Sequence, residues 1–399
     1  MHLYDTAARA VRPFEPAGDT VSLYVCGITP YDAAHLGHAF TYHVFDVVTR
    51  RLAAAGRRVR SVRNVTDVDD DIFRVARERG VRPQDLTREQ VARFDREMAA
   101  IDILPVSAAP LASEYAPQMV DWIDKLERAG IAYANQGWVY FEVAKFKRYG
   151  ALSRLTREQM IALSRQRGAD PDDPRKRDPL DFVLWQPSLP DEPHWDSPWG
   201  QGRPGWHIEC SVLANHFLGD TLDLHGGGDD LIYPHHESEI AQVEAIADHP
   251  FARHWMHVAM VQLDGVKMSK SLGNLVFVGN CLQYGAPGAV RLMLAAHHYR
   301  TAWSFEYAEM GEAEARRIAY RDAMATAPRI DEDAAIATEQ AFFARLDDDL
   351  DTPGALRVLD DLAARMRSGS PQHGADGEEL MRRLLGILGS NVVPAAAPQ

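Results

Sequence analysis

Hydrophobic positions change period twice near the start of the chain. VSLYVC (21–26) is a short apolar run of the kind that forms a strand buried on both faces, and it breaks at Gly27 and Pro30. Downstream, Phe40, Val44, Val47, Val48 and Leu52 recur at helical spacing and predict a helix with one apolar face. Gly56 ends that helix, and VRSVRNV (59–65) predicts a second strand. Strand, helix and strand at this spacing predict a parallel βαβ unit, as in nucleotide-binding sheets. TREQ occurs at 87–90 and 156–159, each time preceding a helical stretch, and both copies fit capping boxes. From about 105 to 200 the pattern is irregular, with a proline-rich stretch at 171–204 that reads as an insertion interrupting the sheet. TLDLHG (221–226) predicts a strand, 234–247 a helix, and HVAMVQL (257–263) a return to the sheet. Beyond about 315 the period is helical, at Thr338–Leu350, Pro353–Arg367 and Gly377–Leu388, and SNVVPAAAPQ predicts a frayed end.

Composition narrows the class. The 399 residues are 46% hydrophobic and 25% charged, as in ordinary globular proteins of two or three domains. No apolar run approaches the ~20 residues that span a bilayer, and MHLYDTAARAVRPFEP lacks the apolar core of a secretory signal, so a cytoplasmic protein is expected. A net charge of −14 argues against broad nucleic-acid binding, which needs phosphate-neutralising cations. Only six lysines occur, and Lys267 and Lys270 fall within four residues of each other. The three cysteines, Cys26, Cys210 and Cys281, do not suggest a disulfide framework.

Two local patterns carry chemistry. His35-Leu-Gly-His38 stands where a strand hands over to a helix; Gly37 would let a nucleotide lie against the backbone, and the imidazoles could hydrogen-bond triphosphate oxygens. Lys267-Met-Ser-Lys270-Ser271 lies between Gly265 and Gly273, so its two ammonium groups could close over a triphosphate and then release pyrophosphate. A metal set is also readable: Cys26 after the first strand, Cys210 closing GRPGWHIEC, and His235 and Glu239 one helical turn apart. Spacing leaves His236 and Glu237 as rival ligands.

HLGH and KMSKS, in that order, resemble the paired signatures of class I aminoacyl-tRNA synthetases. YVCGITPYD (24–32), NVTDVDD (64–70), KRDPLDFVLW (176–185), WDSPWGQGRPGWHIECS (195–211), LHGGGDDLIYPHHE (224–237), KMSKSLGN (267–274) and DDDLDTPGAL (347–356) are similar to the cysteinyl-tRNA synthetases and their relatives, over roughly 20 to 356. The resemblance implies an α/β fold: a Rossmann-like catalytic domain from 1–104 and 201–314, an inserted connective region at 105–200, and a C-terminal helical bundle at 315–399 without an anticodon-binding domain. It implies zinc on Cys26, Cys210, His235 and Glu239, and ATP with Mg²⁺ served by His35, His38, Lys267 and Lys270. It also implies that Trp206 lines a cysteine pocket, that Thr29, Thr41, Asn64, Thr66, Asp230 and Val261 contact the adenylate, and that Gly27, Gly37 and Gly228 belong to the same cradle. A soft thiolate on zinc is a far better ligand than an alcohol, which is how such a site would reject serine.

Within this family, some members charge tRNA and others join cysteine to a small amine, glucosaminyl-inositol in the mycothiol route. The chain's end after the helical region, CGITPYD in place of CGPTVYD, Gln166-Arg-Gly-Ala-Asp-Pro171 and NLVFV resemble the small-amine ligases. Glu239, SLGN and DFVLW resemble the tRNA enzymes. The expectation is a cysteine ligase acting on glucosaminyl-inositol, then one acting on another amine, then a tRNA enzyme. Its partners are small molecules, with neither tRNA nor membrane expected, and a monomer is anticipated. Cysteine carboxylate would attack the α-phosphate of ATP, and the acceptor amine would then expel AMP. The base for that second step is not readable; Asp32 is the nearest candidate.

Overall fold

Four parallel strands form the central sheet, in the order Trp255–Val258, Leu224–Gly228, Thr20–Val25 and Arg58–Val62. This computed structural model describes residues 1–31, 35–268, 273–325, 329–368 and 374–392, apart from the side chain of Lys267. Lys270, Asp32 and residues 393–399 lie outside the described residues. Alternate positions of the Thr20–Val25 strand feed two cores: Val21, Leu23 and Val25 pack with the Leu36–Ala54 helix, while Tyr24 and the adjoining Cys26 join the core containing Ile208 and Leu213. Burial on both faces is why the run reads as continuously apolar.

The Leu36–Ala54 helix is buried nearly all round, beyond the single apolar face its pattern predicts. Its outer side meets the C-terminal helices, where Arg291 donates to the Leu388 carbonyl at 3.0 Å and to Asp46. Asp46 also accepts from Arg50 at 2.8 Å and from the Leu104 amide at 3.0 Å. This fully buried ion pair locks the signature-bearing helix to Pro287–Ala295 and Gly377–Ile387.

Several expectations need correction. HVAMVQL is two strands, because the chain leaves the central sheet after Val258 and enters a second sheet at Val261–Leu263, parallel to Trp303–Phe305. Residues 105–200 are ordered: the Ala116–Arg128 and Arg157–Gln166 helices accompany an antiparallel sheet of Ala132–Asn135, Trp138–Phe141, Phe182–Pro187 and Gly202–Pro204. Proline obscured this pattern, yet Pro187 and Pro204 simply end their strands. Thr156 and Gln159 form a capping box, but Thr87 lies inside the Pro83–Ala100 helix, which starts a turn earlier with proline in its first turn. The expected helix at 234–247 is a wide turn, Ile232–His236, followed by Glu237–Glu244. The C-terminal helices run Tyr307–Met324, Glu332–Asp347, Thr352–Arg367 and Gly377–Ile387, the second capped by Asp331 well ahead of its predicted start.

Candidate active site and metal centre

All four central strands deliver candidate residues at their carboxyl ends, the usual ligand crevice of an open parallel sheet. Cys26 and Gly27 follow the Thr20–Val25 strand, Asn64 and Thr66 follow Arg58–Val62, Gly228 and Asp230 close Leu224–Gly228, and Val261 lies just past Trp255–Val258. Gly27 is required where the first two ends meet, since a Cβ there would sit 1.6 Å from the Asn64 carbonyl oxygen. Its amide donates to Asn64 Oδ1 at 2.6 Å, Asn64 Nδ2 donates to Thr66 Oγ1 at 2.9 Å, and Thr66 donates to Glu209 Oε2 at 2.8 Å. Asn64 and Thr66 therefore brace the crevice through buried hydrogen bonds. Burial, and then the charge of Cys210, push the Glu209 carboxyl well above the ordinary carboxylate range.

Deeper in the crevice, Cys26, Cys210, His235 and Glu239 converge, all buried. Cys26 Sγ lies 3.8 Å from Cys210 Sγ and 3.5 Å from Glu239 Oε1; His235 Nε2 lies 3.3 Å from Cys210 Sγ and 3.0 Å from Glu239 Oε1. A tetrahedral ion with bonds of ~2.3 Å to sulfur and ~2.0–2.1 Å to nitrogen or oxygen would space its ligands about 3.3–3.8 Å apart. Three of the four spacings lie in this range and the His235–Glu239 spacing is 0.3 Å shorter, so the four side chains fit such an ion after a slight opening of that pair. Burial raises the Cys210 thiol, but its hydrogen bond with Cys26 and the charge of His235 bring it down to about 6. Burial also opposes charge on His235, which Glu239 and Cys210 nevertheless hold up at about 10. Burial and Cys210 keep Cys26 well above the usual thiol range, so ionising both thiols together calls for a cation at the centre.

The surrounding residues orient this set. His235 Nδ1 meets His207 Nδ1 at 2.9 Å, which turns Nε2 inward, and burial lowers His207 to about 3. Trp206, expected in the cysteine pocket, is half-buried and stacks on His235 with centroids 4.3 Å apart. Of the two rival ligands, Glu237 is committed elsewhere, accepting from the Ser153 amide at 2.8 Å and so fastening the inserted region beneath the metal set. His236 points inward, with Nε2 3.2 Å from Cys26 Sγ.

At the HLGH motif, His35 caps the Leu36–Ala54 helix, its Nδ1 accepting from the Gly37 amide at 3.1 Å, and its ring stacks on His38 at 3.8 Å. The Leu36 amide donates to the Val276 carbonyl at 2.7 Å, which ties this motif to the segment following KMSKS. Thr41 donates to the Gly37 carbonyl at 3.1 Å, and Asp230 is bound by Arg167 of the inserted region at 3.2 Å. The Val261 side chain is in the core, while Thr29 and Gly228 are partly exposed. Glu209, His207, His225, His257 and Tyr42, whose hydroxyl donates to the Cys26 carbonyl at 3.0 Å, were not anticipated. His207 and Glu209 stand inside WHIEC; the single helical turn from His207 to Cys210 was a clue to the first, and nothing local marked Glu209 as a partner of Thr66.

Comparison with known proteins matches residues 13–315 to the tRNA synthetases class I (C) catalytic domain. The chain belongs to that family. Among class I (C) relatives, the L-cysteine:1D-myo-inositol 2-amino-2-deoxy-alpha-D-glucopyranoside ligase of Thermobifida fusca is 45% identical over 390 residues, covering 97% of this chain and 93% of its own. A cysteine–tRNA ligase of Chromobacterium violaceum is 42% identical over 399 residues, covering 98% of this chain and 85% of its own. Mycobacterium tuberculosis methionyl-tRNA synthetase in complex with methionyl-adenylate shares the fold, with a TM-score of 0.65 at 14% identity over 92% of this chain and 88% of that one. Among the described residues, no helix is long and apolar enough to cross a membrane.

Proposed function

We propose that the protein is an ATP-dependent, AMP-forming ligase that activates cysteine as cysteinyl adenylate and transfers it to the amine of glucosaminyl-inositol, making the mycothiol precursor. The observation that carries the cysteine reading is the buried convergence of Cys26, Cys210, His235 and Glu239 at the carboxyl ends of the sheet. The acceptor is taken from the T. fusca ligase, similar along 97% of the chain. When bound there, zinc would supply a Lewis acid that prefers the cysteine thiolate to the serine hydroxyl.

The chain's own residues do the rest. His35 and His38, stacked at a helix N-terminus, stabilise negative charge on the phosphates of Mg²⁺–ATP, with Lys267 and Lys270 contributing from the second signature. Trp206 walls the cysteine side chain against His235. Gly27, braced by Asn64 and Thr66, holds two strand ends together beside the adenylate. The mixed anhydride is already reactive, so the amine needs mainly positioning and loss of its proton. A second reading, cysteine–tRNA ligation, is favoured by Glu239, which completes a four-ligand set of the tRNA-enzyme kind, and by SLGN and DFVLW. Cysteine-dependent exchange of pyrophosphate into ATP tests the shared first step, and its absence in zinc-replete protein would exclude both readings.

A further inference from the structure

The metal set has a neighbour that the proposed function does not use. Cys26, His225, His236 and Glu239 form a second convergent group, every member buried. The two groups share Cys26 and Glu239, and both shared residues face two ways. Glu239 Oε1 lies 3.0 Å from His235 Nε2, while Oε2 lies 2.8 Å from His225 Nε2. Cys26 Sγ lies 3.8 Å from Cys210 Sγ on one side and 3.2 Å from His236 Nε2 on the other. A carboxylate presenting one oxygen to each of two histidines, beside a thiolate presented to both groups, is the donor arrangement of a bridged pair of ions.

The outer partners fit this role. His236 Nδ1 meets His257 Nε2 at 2.7 Å, and His257 Nδ1 meets Thr6 Oγ1 at 2.7 Å. With His236 Nδ1–H donating to His257 Nε2 and His257 Nδ1–H donating to the Thr6 hydroxyl, the His236 Nε2 lone pair is aimed inward, ready to ligate. His225 is fixed by stacking on Trp255, with centroids 4.5 Å apart.

We propose that this crevice holds a second divalent metal position, ligated by His225 and His236 and bridged to the first through Cys26 Sγ and the Glu239 carboxylate. The proposal rests on the thiol-binding reading above, and formal charge gives it direction. Two thiolates and one carboxylate around one divalent ion leave a buried charge of about −1, or about −2 once a substrate thiolate binds, which burial disfavours. A second divalent ion makes the thiolate-bound centre neutral, so cysteine should tighten the second ion and the second ion should tighten cysteine.

The test is titration of metal-free full-length protein with Co²⁺, with and without cysteine, followed by thiolate-to-cobalt absorption and electron paramagnetic resonance. Two equivalents should bind in the presence of cysteine, the bridged pair giving a resonance signal smaller than twice that of the first. His236→Gln should lose the second equivalent and keep the first, which also shows that the variant folds; Cys210→Ser should weaken the first. A single equivalent in the presence of cysteine, or a second equivalent that His236→Gln leaves intact, overturns the proposal. Failure of the thiol-binding reading would look different: no thiolate-to-cobalt absorption at any ratio.

Discussion

Replacing Thr66 with valine probes the brace between the sheet ends and the crevice. Thr66 is 2% exposed and serves two buried partners, accepting from Asn64 Nδ2 and donating to Glu209 Oε2. Valine keeps the branched shape, so no cavity opens, but it leaves one donor and one acceptor without their partner. Each abandoned group costs about 1–3 kcal/mol, so Thr66→Val should destabilise the fold by about 2–6 kcal/mol. Thr66→Ser keeps both hydrogen bonds and loses one methyl group, a loss of roughly 1 kcal/mol. Asn64 also holds the Gly27 amide at 2.6 Å, so loosening it should misplace the cradle. A shift approaching 1 Å would lower the rate of pyrophosphate exchange by up to about 100-fold. Urea denaturation followed by tryptophan fluorescence gives the stability, and exchange kinetics give the rest. A valine variant within about 1 kcal/mol of the parent, or a serine variant equally damaged, would refute the reasoning.

Other outcomes follow from named contacts. Asp46→Asn strands the fully buried Arg291 charge and should cost about 3–5 kcal/mol in chemical denaturation, most of it regained in Asp46→Asn with Arg291→Met; an unchanged midpoint for the single variant contradicts this. Burial, then the charges of Arg291 and Arg50, hold His43 well below its ordinary value, so the folded state stays neutral where the unfolded chain takes up a proton. Unfolding therefore binds a proton below about pH 6.5, and this residue lowers stability by about 1.4 kcal/mol for each unit that the pH drops below that value. His43→Gln should remove that slope between about pH 6 and 5, and an unchanged slope in denaturation midpoints would count against it. Cys210→Ser should weaken zinc by more than the ~10–100-fold typical of losing an outer partner and let serine compete in exchange; full metal content by elemental analysis would contradict the assignment.

What could be read in advance follows from how locally each feature is encoded. The first βαβ unit was legible because its two apolar periods sit in uninterrupted segments, and Cys26 and Cys210 because thiols are rare in this chain, whereas only the family resemblance singled out His235 and Glu239 from the neighbouring His236 and Glu237. The inserted sheet was not, since strands of three to six residues with prolines at their ends carry too little alternation to register. His225 and His257 escaped for another reason: a histidine in a strand gives no local sign of what lies behind the sheet. Only parallel pairing of Leu224–Gly228 with Trp255–Val258 brings these two beside His236. Arg167 and Asp230 are 63 positions apart, and their pairing depends on the inserted region folding back over the crevice.

Transfer of activated cysteine from this thiol site to a small amine is tested most directly by product analysis by mass spectrometry, with zinc-replete protein, ATP and cysteine offered glucosaminyl-inositol and cysteine tRNA in parallel. The expected product is the cysteinyl amide of the amino sugar, formed with stoichiometric AMP, and no charged tRNA. Charged tRNA with the amino sugar left untouched would contradict it.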